Sequence, residues 1–431
     1  MKKLTTSLFL SMLGLASPAF AQLELTITQG VTDPIPIAVV PFARAVPADG
    51  GLDVAAIVQK DLETSGRFKG MPRADMISTP TSAADVDAAA WKQMRNDYVV
   101  VGRLTSQSNG QLRIDAELVN VLTGQRVFGP VVTTTPNNLR NGAHRLADAL
   151  YEKITGVRGA FATRIAYVSV DGVPPKQRYE LYVADYDGQN RQRVMSSPLP
   201  LMSPAWSPKG DYLAYVSFER RVSTVFVQHL RTGKKVAVSA RAGINGSPSY
   251  SPNGDKLALT LSGSTGNLDI YTLDLNTQEL TRLTTDASID TEAVFAPDGS
   301  IFFTSDRAGS PQVYQLKPGS SERPKRITFS GNYNARPRVS PDGKQLGLLT
   351  QADGGYRIAV QDLATGTVTV LSRGRQEESP SFAPNGAMLI FAGRERGHGV
   401  LQTVSIDGLT SARLDSGAGE VREPVWGPFL P

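Results

Sequence analysis

The chain contains no cysteine among its 431 residues, which excludes disulfide frameworks, thiolate metal sites and cysteine nucleophiles. Histidine is almost as scarce. His144, His229 and His398 are the only three, and they fall in different predicted elements with no second ligand at metal-binding spacing. Beyond the first residues there is no apolar run of the ~20 residues needed to cross a bilayer, so direct membrane insertion is not expected. The Gly-x-Ser-x-Gly elbow of serine hydrolases is missing, and its nearest approach, residues 262–266, lacks the first glycine. Walker and dinucleotide fingerprints are missing too. Asp185-Tyr186-Asp187-Gly188-Gln189-Asn190 matches only the start of a calcium loop, without its distal glutamate, and reads as a turn. No catalytic residue, metal or cofactor is expected. Nor does charge of one sign dominate. The densest basic stretch, Arg323-Pro324-Lys325-Arg326, is short and interrupted by proline, which makes it a solvated loop, and no nucleic acid is expected as a partner.

Hydrophobic residues make up 40 % of the chain and charged residues 20 %, the composition of a globular protein. The length exceeds the roughly 250–300 residues at which one core stops growing, so two or more domains are expected. The 40 Gly and 28 Pro together make about 16 % of the chain, above average usage but too low for a collagen-like or disordered protein. They indicate many tight turns. Residues 1–21 stand apart: Lys2 and Lys3 form a basic start, Leu8 to Leu15 an apolar stretch, and Ala19-Phe20-Ala21 a small-x-small cleavage site. This is the order of a secretory signal peptide. Its removal takes two lysines and no acids, lowering the net charge from +5 to +3.

The C-terminal part repeats. Ser-Pro-Ala-Trp-Ser-Pro at 203–208 recurs as Ser-Pro-Ser-Tyr-Ser-Pro at 247–252, and then in looser form at 291–299, 336–343, 379–386 and 423–428. The second proline of each copy falls at 208, 252, 297, 341, 384 and 428. A period near 44 with six copies marks a repeat architecture. Within each unit a Pro-x-Gly turn leads into an apolar segment such as Leu213–Val216, Leu257–Leu259, Ile301–Thr304 or Met388–Phe391. A third strand follows (268–273, 312–316, 356–361), then a fourth (280–283, 368–371). Four strands per repeat is the arithmetic of a propeller blade. The last anchor supplies one strand before the chain ends, and the segments 165–168, 180–185 and 193–195 match the three strands it lacks. The expected fold is a six-bladed β-propeller, residues 159–431, closed by strands from both ends of the domain, which would remove free sheet edges.

Residues 34–158 do not carry the repeat. Strands are predicted at 35–42, 98–104, 112–122 and 127–135, and helices at 53–68, 85–96 and 139–154. This is an α/β domain with a mixed sheet. Residues 22–33 lie outside it and hold a short alternating segment, Leu23-Glu24-Leu25-Thr26-Ile27.

In a propeller the loops leading into the innermost strands crowd one mouth of the central channel and make a concave docking surface. The position before the first anchor proline, or its equivalent, is occupied by Ser203, Ser247, Glu292, Arg336, Ser379 and Glu423, flanked by Met202, Asn245, Thr291, Glu378 and Arg422. Serines there also cap turns. The mixed charges favour a polar protein ligand.

Gly-Ala-Phe-Ala-Thr-Arg-Ile-Ala-Tyr-Val at 159–168, Leu-Met-Ser-Pro-Ala-Trp-Ser-Pro at 201–208, Phe-Thr-Ser-Asp-Arg at 303–307 and Gln-Asp-Leu-Ala-Thr-Gly at 361–366 together resemble the TolB family of the Tol-Pal system. The similarity spans the whole mature chain. Ser-Pro-aromatic-Ser-Pro repeats alone are shared with prolyl-peptidase propellers; the leader, the α/β domain, the joint at 159–164 and six blades together are specific. The resemblance implies a periplasmic, non-enzymatic protein. It would bind the lipoprotein Pal at the propeller mouth and TolA through its mature N-terminal segment, supporting outer-membrane invagination at division and envelope integrity. The family's Pal contacts match Asn245, Gly246, Ser247, Thr291 and Glu292, with Ile244 standing where a relative carries a bulkier polar group. The TolA-binding segment matches Gln22, Leu23, Glu24, Leu25, Thr26, Ile27, Thr28, Gln29, Gly30, Val31 and Thr32. In the family this segment is held to move between docking at the domain interface and being free, so that each ligand biases a segment the other reads. A monomer is expected. The alternative reading is a propeller enzyme, a lyase or hydrolase acting in the channel, which needs a metal or titrating cluster that no motif here supplies.

Overall fold

Local chemistry sets the first helix of the α/β domain. In the computed structural model, which describes residues 33–45, 51–263, 266–417 and 419–430, the Asp53 side chain accepts the Ala56 N–H at 3.0 Å and starts α1, Val54–Thr64. The expected helix is longer, running to Phe68. It stops at Thr64 because Gly66 takes φ +73° and packs so closely on Thr410 that a Cβ there would lie 2.4 Å from its hydroxyl. Phe68–Gly70 then becomes a strand. Helix α2, Ala88–Gln93, is also shorter than predicted. Asp87 caps it through the Ala89 and Ala90 N–H groups, and it buries Trp91. Helix α3, Leu139–Thr155, ends on Gly156 at φ +74°. The expected strand over 127–135 is two strands, Gln125–Phe128 and Val131–Thr134, separated at Gly129 and Pro130.

The sheet order is Phe68–Gly70, Ile35–Val39, Tyr98–Ser106, Leu112–Asn120, Gln125–Phe128. Ile35–Val39 pairs in parallel with both of its neighbours, whereas Leu112–Asn120 pairs antiparallel, so the sheet is mixed. Helices α1 and α3 cover one face and Trp91 fills the other.

Six four-stranded antiparallel sheets make the propeller. Their innermost strands are Leu201–Trp206, Asn245–Tyr250, Asp290–Phe295, Asn334–Val339, Glu378–Phe382 and Glu420–Trp426, and each packs against the next. Second strands such as Tyr212–Ser217 and Ile301–Ser305 are buried on both faces, because the stacked sheets leave neither side to solvent. That is why they read as continuous apolar runs. Gly210, Gly254, Gly299, Gly343 and Gly386 take φ between +71° and +81° in the Pro-x-Gly turns, a conformation glycine adopts without steric cost. The sixth sheet combines Glu420–Trp426 with Arg164–Asp171, Arg178–Asp185 and Gln192–Ser197.

One apolar core runs across both domains. It joins Leu62 and Leu146 of the helices to Phe161, Tyr186, Met388, Ile390 and Trp426. Burial of each large side chain contributes about 1.5–3 kcal/mol, so the α/β domain and the propeller share stabilisation. The expected signal peptide and the segment Gln22–Thr32 lie outside the described residues.

Candidate functional site

The pairing of each innermost strand with its neighbour breaks at the same place in all six blades: between Met202 and Ala205, Gly246 and Ser249, Thr291 and Val294, Ala335 and Arg338, Glu378 and Ser381, and Arg422 and Val425. Within those bulges Ser203, Ser247, Glu292, Arg336, Ser379 and Glu423 all adopt left-handed backbone, with φ from +47° to +57°. Such a conformation costs a non-glycine residue about 1–3 kcal/mol and persists only where the surroundings enforce it. Here the following proline, present in five of the six, has no N–H to give the ladder. The bulge re-aims the strand, and all six residues line one cavity of about 340 Å³ at the channel. Met202 and Thr291 line it too.

The charges at this mouth are largely spent on one another. Glu292 lies 3.2 Å from Arg336 Nε through Oε1, and its Oε2 accepts the Arg336 backbone N–H at 3.0 Å and the Thr304 hydroxyl at 3.0 Å. Arg336 also donates to Ser379 Oγ, and Glu423 accepts the Ser203 N–H. Burial opposes the charge on Arg336, but the Glu292, Glu423 and Glu378 carboxylates outweigh it and hold the guanidinium above its usual range. Burial pushes the Glu423 carboxyl up. Met202, Ile244 and Ile289 put exposed apolar surface beside the strand entrances, with Ile244 half exposed.

The remaining expected residues separate into two groups. Gly246, Ser247, Thr291 and Glu378 are partly exposed, whereas Asn245 is fully buried. Its side chain bonds Ser239 Oγ at 2.6 Å, the Arg241 N–H at 3.0 Å and the Arg241 carbonyl at 2.8 Å. Asn245 therefore positions the loop and presents no group to a ligand. Sequence reasoning missed that the same position recurs: Asp290 pairs with Arg307 at 2.7 Å, Asn334 donates to Gln312 at 3.0 Å, and Glu377 accepts the Gly374 N–H at 2.8 Å. A buried polar residue two positions before four of the six left-handed residues, at spacings of 45, 44 and 43, carried this signal; the other two blades have Leu201 and Val421 there.

A second cluster lies between the domains. Asp61 of α1, buried, accepts the Tyr186 hydroxyl at 2.7 Å and lies 2.7 Å from His144 Nδ1 of α3. His144 Nε2 is 3.8 Å from Asp187, and Arg140 pairs with Asp187. Burial raises Asp61; it also opposes the charge on His144, but the carboxylates of Asp61, Asp187 and Asp185 prevail and raise His144. The sequence shows no metal-binding spacing around His144, yet one of its ring nitrogens and one carboxylate oxygen each of Asp185 and Asp187 come within 4.8 Å of one another. The Arg140 guanidinium already supplies positive charge there, which makes the cluster an ionic joint between the domains.

Two family models match: the TolB amino-terminal domain over residues 23–127 and the TolB beta propeller domain over residues 151–430. Tol-Pal system protein TolB of Xanthomonas campestris pv. campestris is 46% identical over 421 residues, 95% of each chain. The protein of that name from Xanthomonas oryzae pv. oryzae is 46% identical over 430 residues, 97% of each chain. The crystal structure of TolB from Acinetobacter baumannii superimposes with a TM-score of 0.85 at 38% identity, covering 92% of this chain and 98% of that one. No described helix is long and apolar enough to cross a membrane. With both domains matched and near-complete overlap on either side, the chain belongs to the TolB family of Tol-Pal system proteins.

Proposed function

We propose that this protein works in the periplasm as a protein-binding component of the Tol-Pal system, without enzymatic activity. It docks the lipoprotein Pal at the propeller mouth and TolA through Gln22–Thr32, and so serves outer-membrane invagination during division and outer-membrane integrity. One observation carries the reading: six left-handed bulges in register turn the inner-strand entrances into a single concave, mixed-charge surface. Backbone strain repeated around a rim marks a recognition surface held in one shape. No histidine lines that cavity, and the Glu292 and Arg336 side chains there are engaged with each other, which supports binding over chemistry.

Titration calorimetry of the mature chain against soluble Pal and TolA domains tests the assignment. Ser247→Arg, which fills the mouth, and the double variant Thr291→Ala/Glu292→Ala are each expected to weaken Pal binding by about 30-fold or more and leave TolA binding unchanged. Deleting 22–32 is expected to abolish TolA binding while Pal binding and the fold survive. Wild-type Pal affinity in the double variant refutes the mouth assignment; retained TolA affinity after the deletion refutes the segment.

A further inference from the structure

Arg338 follows Arg336 by two residues on the innermost strand Asn334–Val339 and lines the same cavity, but its surroundings differ. Arg336 has Glu292 and Ser379. Among the described residues Arg338 has only the carbonyl of its neighbour Pro337, which accepts from Nη1 at 2.8 Å. Among the described residues no carboxylate pairs with it, whereas Glu292 and Glu423 are each committed to other donors. The lining of this cavity also carries the apolar side chains of Trp206, Phe295 and Val339. Burial holds this guanidinium below its ordinary range, only partly offset by the more distant Glu292 and Glu423. Arg338 is partly buried, and a cation withdrawn from water to that degree is ordinarily paired and hydrogen-bonded, because the desolvation it suffers is otherwise uncompensated. Guanidinium is also the cation best shaped for bidentate pairing with a carboxylate.

From this we infer that the ligand docking at the mouth inserts an acidic side chain into the channel and pairs its carboxylate with Arg338. The inference rests on the mouth being the docking site and names the chemistry of the group that enters it. The charge balance selects a single carboxylate over a phosphate. Glu292, Glu378 and Glu423 act on Arg336, and Glu292 and Glu423 also on Arg338, so repulsion from these acids grows with each negative charge brought in and a dianion meets about twice that of a single carboxylate. A singly charged group delivered to Arg338 by a docked protein does not carry that second charge.

The test is a double-mutant cycle by titration calorimetry, using the mature chain and the soluble domain of the cognate Pal lipoprotein, whose surface acids are changed one at a time to the corresponding amides. Arg338→Met is expected to weaken binding by about 30-fold or more, and that loss should vanish against the one ligand variant whose acid is the partner. Arg338→Lys should recover part of the affinity, since ammonium pairs as a point charge without the fork. Thermal unfolding separates this from a structural role: Arg338→Met loses only the Pro337 contact and is expected to unfold no earlier than wild type. If Ser247→Arg blocks binding while Arg338→Met binds with wild-type affinity, or no ligand acid couples to Arg338, the inference is overturned. If Ser247→Arg itself binds normally, the docking assignment beneath it fails instead.

Discussion

Asp148 offers a quantitative test of how the two domains are joined. It sits on α3, partly buried, and its Oδ1 accepts the Phe161 N–H at 2.7 Å while Oδ2 accepts the Ala162 N–H at 3.0 Å. Those amides belong to the joint that leads into the propeller strand Arg164–Asp171. Burial pushes this carboxyl from 3.8 up to about 6, against the lowering effect of the two N–H groups. The folded protein thus favours the protonated acid. The stabilisation from that preference is fully present below the unfolded value of 3.8 and is lost as pH rises through about 6. A rise of that size corresponds to about 3 kcal/mol. Asp148→Asn cannot titrate; its carbonyl keeps one N–H and its amide nitrogen fails the other, a fixed cost of about 1–3 kcal/mol at every pH. Urea unfolding of wild type and variant between about pH 3.5 and 7.5 is expected to show the stability difference, wild type minus variant, falling by about 3 kcal/mol as pH rises and levelling above about pH 7. A difference constant to within about 0.5 kcal/mol would refute the reasoning, because the two N–H bonds would then balance burial and leave the folded carboxyl at its unfolded value.

Other expectations follow from the same contacts. Tyr186→Phe removes the hydroxyl that donates to buried Asp61 at 2.7 Å and is expected to cost about 1.5–3 kcal/mol; an unchanged urea midpoint would contradict a coupling role for this joint. Gly188 has φ +84°, and a Cβ there would lie 1.7 Å from the Asp415 carbonyl oxygen. Gly188→Ala should therefore lose more than about 4 kcal/mol, whereas Gly366→Ala, at φ +77° with open space around it, should lose only about 1–2 kcal/mol. Equal losses for the two, measured by chemical denaturation, would show that backbone conformation alone decides both.

What could be read ahead of the structure follows the range of the forces involved. Pro-x-Gly turns and apolar second strands are local, so the repeat near 44 residues and the strand order within a blade were legible. Helix ends were less so. α1 stops at Thr64, two residues before Gly66, whose tight fit against Thr410 comes from a segment more than three hundred residues away. Asn245 reads as a mouth residue from its place in the repeat. Its burial, and its bonds to Ser239 and Arg241, depend on how the loop folds back on the preceding blade.

The amino-acid sequence by itself determined the two-part architecture, the six repeats and the family, because periodic patterning and turn chemistry act between near neighbours along the chain. Only the tertiary structure decided that the six equivalent residues of the mouth share left-handed backbone, since a bulge is defined by the strand it pairs with. The tertiary structure alone also brought Asp61 to His144 and Tyr186, 83 and 125 positions apart, and left Arg338 without a carboxylate partner among the described residues. Burial and charge pairing are properties of what surrounds a residue in space, and no local pattern in the chain records them.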